Sequence, residues 1–347
     1  MFKKVLSVIA LAGVSYANAQ DSTSTPLSIS GSVDTYYKYD FAKQQNILTS
    51  FATDQNSVSL GMIDIALKKT TGKASFVGEV SFGPRGQSQS IPNAAGDYDE
   101  DVNSFNIQNL YASYAFTDKF SMTAGYMSTF VGYEVISPVG NYNYSTSYLF
   151  TNGPFQNAGL KANYAISSKV GIMAGVFNTT WNSYQADASK GVNTLGAQLF
   201  LSPVEGWTAY INLLKGSESG TIVDLTTSYQ ITPKFKLGLN AADFSTDSGD
   251  DMGFTGVALY PSVSITSAFG LGLRAEYFKA KKLTSYSGIT AGESVTAFTL
   301  SGNLKAGGLT FIPEIRFDNG SMNQFLKENG AATKSATQFS LAAVYAF

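Results

Sequence analysis

The 347-residue sequence contains neither cysteine nor histidine. Without cysteine the chain can form no disulfide and offers no thiolate ligand to a metal ion. Without histidine it lacks the commonest general base and metal ligand, and every Ser-His or Cys-His nucleophile pair is excluded. We therefore expect no catalytic residues, no metal site and no cofactor.

Charge and long apolar runs are also scarce. Charged residues make up 14% of the chain, against roughly 25% in soluble domains. The net charge of −2 offers no basic surface for nucleic acid. Beyond residue 19, no apolar run approaches the roughly 20 residues that a spanning helix needs. Aromatic residues, by contrast, reach 13%, and this combination favours a membrane β-barrel.

Residues 1–19 have the layout of a secretory signal. Lys3 and Lys4 form a basic start, residues 5–14 are apolar, and small residues at 17–19 precede the expected cleavage near Ala19. The apolar core is too short for a membrane anchor. We therefore expect residues 20–347 to form a single outer-membrane barrel domain.

Segments with two-residue hydrophobic periodicity recur along the chain. In residues 158–166, for example, Leu160, Ala162 and Tyr164 alternate with Gly159, Lys161 and Asn163. Successive side chains of a strand point to opposite faces, so this pattern gives one apolar face and one polar face. A Lys or Arg on the lipid face at mid-bilayer would cost about 2–4 kcal/mol, and the charges indeed keep to one parity. The same pattern is found in residues 27–41, 74–82, 120–130, 269–277 and 309–318.

The connections alternate between short and long. Short turns are predicted at 70–72, 117–119, 167–169, 203–206, 232–234, 266–268 and 306–308, and longer loops at 42–54, 84–103, 131–157, 179–191, 215–220, 245–251, 279–292 and 319–336. They predict an all-β, antiparallel, up-and-down transmembrane barrel of 16 strands, within a range of 14–18, with both ends on the short-turn side. Within 58–67 and 105–116 the apolar parity switches. A β-bulge in each strand would explain the switch, and the alternative is that a few apolar residues are tucked inward.

A barrel of this size encloses an aqueous channel, so its polar parity should line water. The candidate pore-lining residues are Asp34, Lys38, Glu79, Lys161, Lys236, Arg274, Glu276, Glu314 and Arg316. The polar parity as a whole carries seven charges of each sign. We therefore predict weak ion selectivity, unless one sign clusters at a constriction. Alternatively, the charges pair across neighbouring strands and only stabilise the wall.

One stretch carries a family resemblance. Residues 132–138 read Gly-Tyr-Glu-Val-Ile-Ser-Pro, and residues 144–155 combine Tyr-Ser-Thr-Ser-Tyr-Leu-Phe with Gly-Pro-Phe. These elements resemble the β-barrel porin-2 family, a group of Bacteroidetes-type outer-membrane porins. The resemblance implies an outer-membrane pore with a poorly defined solute, and it supplies no catalytic residues.

The third long connection, 131–157, is the candidate constriction. It carries one charge, Glu134, among aromatic and amide side chains. By analogy with general porins, in which the third loop folds inward, we expect it to narrow the pore and to favour neutral hydrophilic solutes over ions. The alternative is a cap packed on the outer rim. The candidate constriction residues are Tyr133, Glu134, Tyr142, Tyr144, Tyr148 and Phe150.

The sequence thus predicts a passive diffusion channel for small hydrophilic solutes in the outer membrane. Its expected partners are outer-membrane lipid, the barrel insertion machinery and, in a homo-oligomer, further copies of the chain, but not nucleic acid. Phe347 ends an alternating strand, 337–347, and resembles the assembly signal that the insertion machinery reads. The alternative is a surface-exposed adhesion barrel with an occluded lumen; a barrel protease or lipase is disfavoured by the missing histidine.

Overall fold

The computed structural model describes residues 24–87, 107–178 and 191–347. The expected signal at 1–19 and parts of the predicted loops 84–103 and 179–191 lie outside the described residues. In the described ranges, no helix is long and apolar enough to cross a membrane.

Sixteen antiparallel strands form one closed barrel, in which each strand pairs with its sequence neighbours and the first pairs with the last. They are β1 (Ser28–Asp40), β2 (Ser57–Thr71), β3 (Ala74–Phe82), β4 (Ile107–Ala115), β5 (Phe120–Ser128), β6 (Gln156–Ala165), β7 (Val170–Asn178), β8 (Val192–Leu201), β9 (Trp207–Gly216), β10 (Gly220–Gln230), β11 (Phe235–Thr246), β12 (Gly249–Ser264), β13 (Phe269–Ala280), β14 (Ser294–Ala306), β15 (Leu309–Gly320) and β18 (Ser335–Ala346). The predicted fold class and strand number are confirmed.

Within the described residues, a two-stranded hairpin, two short helices and a 3-10 turn lie in the connections. A two-stranded hairpin, β16 (Phe325–Leu326) and β17 (Ala332–Thr333), lies in the last loop. The short helix α1 (Pro84–Gln87) follows β3, and α2 (Tyr148–Asn152) lies between β5 and β6 together with a 3-10 turn at Pro138–Gly140.

The alternation read from the sequence separates the two faces of the wall. On β15, Phe317 is 42% exposed whereas its neighbours Arg316 and Asp318 are fully buried. On β1, Val33 is exposed between the buried Ser32 and Asp34. The outward side chains therefore form an apolar surface, and the charged parity points into the barrel.

Both predicted register irregularities are present. The β1–β2 pairing shifts between Val33 and Thr35, so that Gly61 and Met62 lie opposite Asp34. The β3–β4 pairing shifts between Glu79 and Val80 and leaves Gln108 as the extra residue. Each extra residue shifts the alternation by one position, so the apolar residues stay on the outer face although their parity in the sequence switches. On β2, Val58 and Leu60 before the bulge and Ile63 after it are all exposed.

Two connections are shorter than predicted. The loops expected at 215–220 and 245–251 are turns of 217–219 and 247–248, because β9 to β12 continue through the polar residues on either side. The expectation failed because these polar segments lie beyond the apolar band, where a strand can keep its hydrogen bonds and still face water. At the opposite end, Phe347 and Gly31 exchange two backbone hydrogen bonds of 3.1 Å, so both strand ends lie on the short-turn side.

Candidate functional site: the lumen and the third loop

The third loop, residues 129–155, packs against the inner face of β13, β14, β15 and β1. Charged side chains that project inward from these strands bind the backbone of the loop. The backbone N–H groups of Tyr144 and Ser145 donate to Glu314 at 2.8 and 3.1 Å, and those of Tyr148 and Leu149 donate to Glu276 at 3.0 and 2.9 Å. Each carboxylate thus holds two successive peptide groups of the loop.

Two arginines bind the carbonyl side of the same segment. Arg274 donates through Nη1 to the Ser145 carbonyl at 2.5 Å and to Glu134 Oε1 at 2.8 Å. Arg316 donates to the Thr146 carbonyl at 2.8 Å while its other nitrogens form a two-pronged pair with Asp318. Buried charges are tolerated when they are paired and hydrogen-bonded, and the loop backbone supplies part of that pairing.

Asp34 connects the β1–β2 bulge to the third loop. Its Oδ1 accepts from the Met62 N–H at 2.9 Å, and its Oδ2 accepts from the Tyr144 hydroxyl at 2.5 Å. The guanidinium of Arg85, from α1, lies 3.8 Å from the same carboxylate and 4.9 Å from the Tyr144 ring. Gly61 faces the Asp34 carboxylate so closely that a Cβ would overlap it. The bulge therefore makes room for this carboxylate.

Inward-facing glycines receive the loop's large side chains. The Tyr142 ring lies over Gly272 and its hydroxyl over Gly270, so a Cβ at either glycine would overlap it. Tyr133 lies over Gly238 in the same way and stacks on Tyr260, with ring centroids 4.3 Å apart. A strand glycine that faces inward here marks the close approach of another chain segment.

Burial keeps the loop phenols neutral. Loss of water raises the pKa of Tyr142 to about 12, and loss of water together with the Glu134 carboxylate raises that of Tyr133 to about 12. Tyr144 and Tyr148 have raised pKa values for the same first reason, desolvation. The phenols of this segment are therefore hydrogen-bonding groups without charge at physiological pH.

The first loop, residues 41–56, covers the third loop from one side. Thr146 donates to the Ser50 carbonyl at 2.7 Å, and the Phe51 ring lies 5.9 Å from that of Phe150. The Lys38 ammonium donates to the Thr53 carbonyl at 2.8 Å. Together the two loops fill the part of the lumen next to β13–β15, β18 and β1.

A cavity of about 210 Å³ remains between the third loop and the opposite wall. The loop contributes mainly apolar and aromatic side chains: Phe130, Val131, Tyr133, Ile136, Phe150 and Phe155, together with Glu134. The wall of β6–β11 contributes mainly polar ones: Lys161, Asn163, Gln198, Thr208, Tyr210, Thr226 and Lys236. The cavity therefore has one apolar side and one polar side.

The nine candidate pore-lining residues occupy different surroundings. Asp34, Arg274, Glu276, Glu314 and Arg316 face inward but are buried under the third loop. Lys38 is covered by the first loop, and Glu79 accepts a 2.6 Å hydrogen bond from Asn109 on the adjacent strand. Lys161 and Lys236 line the cavity.

The candidate constriction residues also divide into two groups. Tyr133, Glu134 and Phe150 line the cavity. Tyr142, Tyr144 and Tyr148 point away from it into the wall, and the Tyr148 hydroxyl donates to Asp318 at 2.8 Å. Half of the set therefore shapes the cavity and half attaches the loop.

The sequence predicted a loop at 42–54 but not its packing against the third loop, and it did not identify the glycines against which the third loop packs. Thr49, Phe51 and Arg85 carried no periodic signal, because they lie outside the strands. The glycines did carry one. Gly238, Gly256, Gly270 and Gly272 all stand at inward positions of strands, where a side chain would otherwise project into the lumen.

A closed sixteen-stranded barrel with its third loop folded against one side of the lumen has the architecture of an outer-membrane porin. Solved structures share this fold. The anion-selective porin from Comamonas acidovorans is 14% identical, with a TM-score of 0.63 over 94% of this chain and 100% of that one. Salmonella typhi OmpF in complex with daunomycin is 12% identical, with a TM-score of 0.63 over 92% and 97%. The trimer form of OmpT, an outer membrane protein of Vibrio cholerae, is 12% identical, with a TM-score of 0.55 over 93% and 99%.

These identities establish the fold alone, and no curated protein matches the chain. The family does follow from the sequence. The family described as "Putative beta-barrel porin-2, OmpL-like" matches residues 26–347, and the protein belongs to it. It is an outer-membrane porin of bacteria, and the resemblance noted in residues 132–155 is confirmed.

Proposed function

We propose that the protein is a passive diffusion channel whose solutes pass between the third loop and the wall of β6–β11. The observation that carries this proposal is the cavity of about 210 Å³ in a lumen otherwise filled beside β13–β15. Hydroxyl and amide groups on its wall side can replace the hydrogen bonds of a small hydrophilic solute to water.

The third loop sets the narrowest part of this route. Its backbone is held by Glu276 and Glu314, and Arg274 of the wall binds the loop's Glu134 at the cavity edge. A segment attached at so many points keeps one position, because each detached buried group would lose its partner. The loop then acts as a fixed constriction rather than as a moving lid.

Conductance in planar bilayers tests both statements. The refolded chain should conduct, and deletion of residues 141–151 should raise the single-channel conductance because the anchored segment is removed. Deletion of residues 327–330, at the tip of the outer hairpin β16–β17, is the matched control and should leave it unchanged. Equal conductance with and without 141–151 would contradict the constriction. Complete absence of conductance would contradict the channel itself and favour an adhesion barrel.

The two ends of the chain would serve in export and in assembly of the barrel. Cleavage near Ala19 would release residues 20–347 for insertion. Phe347 would serve as the signal for the insertion machinery, since its ring lies over Gly31 and its backbone pairs with that residue at the wall seam. Transport would need no catalytic residue, and copies of the chain would associate through the apolar wall.

A further inference from the structure

Two lysines on the cavity wall have no ion-pair partner among the described residues. Lys161 on β6 and Lys236 on β11 line the cavity. Within the described part of the chain, neither ammonium forms a hydrogen bond or an ion pair. The neighbours that share the wall, such as Asn163, Gln198 and Thr226, are neutral. As far as the described segments show, each lysine therefore presents to the open space a positive charge that no adjacent carboxylate pairs with.

The carboxylates that could balance them are already engaged. Glu134 lines the same cavity, but its Oε1 pairs with Arg274 at 2.8 Å and its Oε2 accepts the Ser147 N–H at 2.7 Å. Asp224 on β10 is outside the lining of this cavity and accepts from Asn212 at 2.7 Å, from Asn240 and from the Gly132 N–H. The Asp34, Glu276 and Glu314 carboxylates are buried under the third loop. The described residues that line the cavity therefore carry a net positive charge, because Glu134 is paired with Arg274 and the other two charged side chains are Lys161 and Lys236.

The short-turn end of the barrel has the same sign. The seven short turns together contain four lysines, Lys73, Lys119, Lys169 and Lys234, each in a different turn. The same seven turns contain two acidic side chains, Asp118 and Glu205. Charges of one sign around the mouth of a low-dielectric channel raise the local concentration of oppositely charged solutes. An anion would therefore meet positive charge at this mouth, next at Lys236 close to the turn that holds Lys234, and then at Lys161 in the middle of β6.

On the basis of the diffusion channel proposed above, we infer that the cavity binds small organic carboxylates during passage. The carboxylate would face the wall that bears Lys161 and Lys236. The apolar body of the solute would face Phe130, Phe150 and Phe155 on the third loop, which need no hydrogen-bond partner. An inorganic ion would use only the first of these surfaces, and a neutral apolar solute only the second. An aromatic or branched aliphatic carboxylate matches both.

Two measurements test the preference for organic carboxylates: the reversal potential, and the block of the chloride current by small aromatic solutes. In a KCl gradient across a planar bilayer, chloride should permeate better than potassium. At roughly 8 Å in water each ammonium raises anion occupancy by about two- to threefold, so two of them give about fivefold. Benzoate should reduce the chloride current more than benzyl alcohol does, and benzylammonium should reduce it least. This comparison uses the wild-type chain and depends on no variant.

Removal of both lysine charges should abolish the effect. In Lys161→Gln/Lys236→Gln, the permeability ratio should fall about fivefold and the block by benzoate should approach that by benzyl alcohol. The control Lys282→Gln/Lys327→Gln removes the same net charge from exposed outer loops and should retain both properties. A wild-type ratio at or below one would overturn the inference while leaving the channel intact, as would unchanged selectivity and block in the lysine variant. A wild-type chain that does not conduct would refute the proposed channel itself.

Discussion

Neutralising the two carboxylates that hold the third loop should release it from the wall. In the variant Glu276→Gln/Glu314→Gln, each side chain keeps its size but replaces one oxygen by an NH2 group. Four backbone N–H groups, those of Tyr144, Ser145, Tyr148 and Leu149, donate to the native carboxylates. A glutamine offers one acceptor oxygen, so each substitution leaves at least one of these N–H groups facing another donor.

The size of the effect follows from those lost bonds. A hydrogen bond to a charged group contributes about 1.5–3 kcal/mol. Two lost bonds therefore weaken attachment by about 3–6 kcal/mol, which is a shift of roughly 10²–10⁴ in the equilibrium between attached and detached loop. Arg274 and Arg316 also lose a nearby negative charge, and this change adds to the effect in the same direction.

Limited proteolysis and conductance report the release. Chymotrypsin cleaves beside aromatic residues, and Tyr144, Tyr148 and Phe150 are buried in the folded protein. The variant should be cut in residues 144–150 much faster than the wild type and should show larger, noisier single-channel currents. The control Glu205→Gln/Glu328→Gln removes two exposed carboxylates and should behave like the wild type. Equal cleavage and equal conductance in all three proteins would refute the anchoring role.

Three further predictions concern the closure of the barrel between β1 and β18, the packing of Tyr142 on Gly272, and the ionisation of Tyr133. Deletion of Phe347 should lower the yield of inserted barrel, measured by heat-modifiable migration on gels, without changing the conductance of the barrels that do insert, because it removes only the pairing with Gly31 at the seam. Gly272→Val should raise conductance or protease sensitivity, since its side chain would displace the Tyr142 ring, whereas a loop that stays in place would contradict the packing. Tyr133 should deprotonate near pH 12, seen as the part of the phenolate absorbance that Tyr133→Phe removes. Since the unfolded phenol ionises near pH 10, folding stability should fall as the pH rises from about 10 to 12; if the absorbance that Tyr133→Phe removes develops near pH 10 instead, the burial of Tyr133 is contradicted.

The strands and the orientation of their side chains could be predicted from the sequence, because one face of each strand contacts lipid and the other faces the lumen. Phe317 faces outward beside the buried Arg316 as the alternation requires. Even the two bulges left a trace, since Gly61 and Gln108 each flip the parity of the residues beyond them. The connections were less readable, because a polar segment can be a loop or the continuation of a strand beyond the apolar band.

The functional reading of the charges required the tertiary structure. The alternation assigns Arg274, Glu276 and Lys161 to the lumen, because each stands on the polar side of its strand pattern. Nothing in the local pattern distinguishes one of them from the others. In the folded chain Arg274 and Glu276 hold the third loop, and Lys161 faces the cavity. Contacts between the third loop and β13–β15 span more than 120 residues of sequence, and no local pattern encodes them.

The sequence by itself determined that this chain is a sixteen-stranded barrel, which side of each strand meets lipid, and the family to which it belongs. Those properties depend on the alternation of apolar and polar residues and on short motifs, and both can be read from neighbouring residues in the sequence. Only the tertiary structure decided which inward charges are used to hold the loop and which remain free to act on a solute. That outcome depends on where the third loop lies, and its position is fixed by hydrogen bonds between segments far apart in sequence.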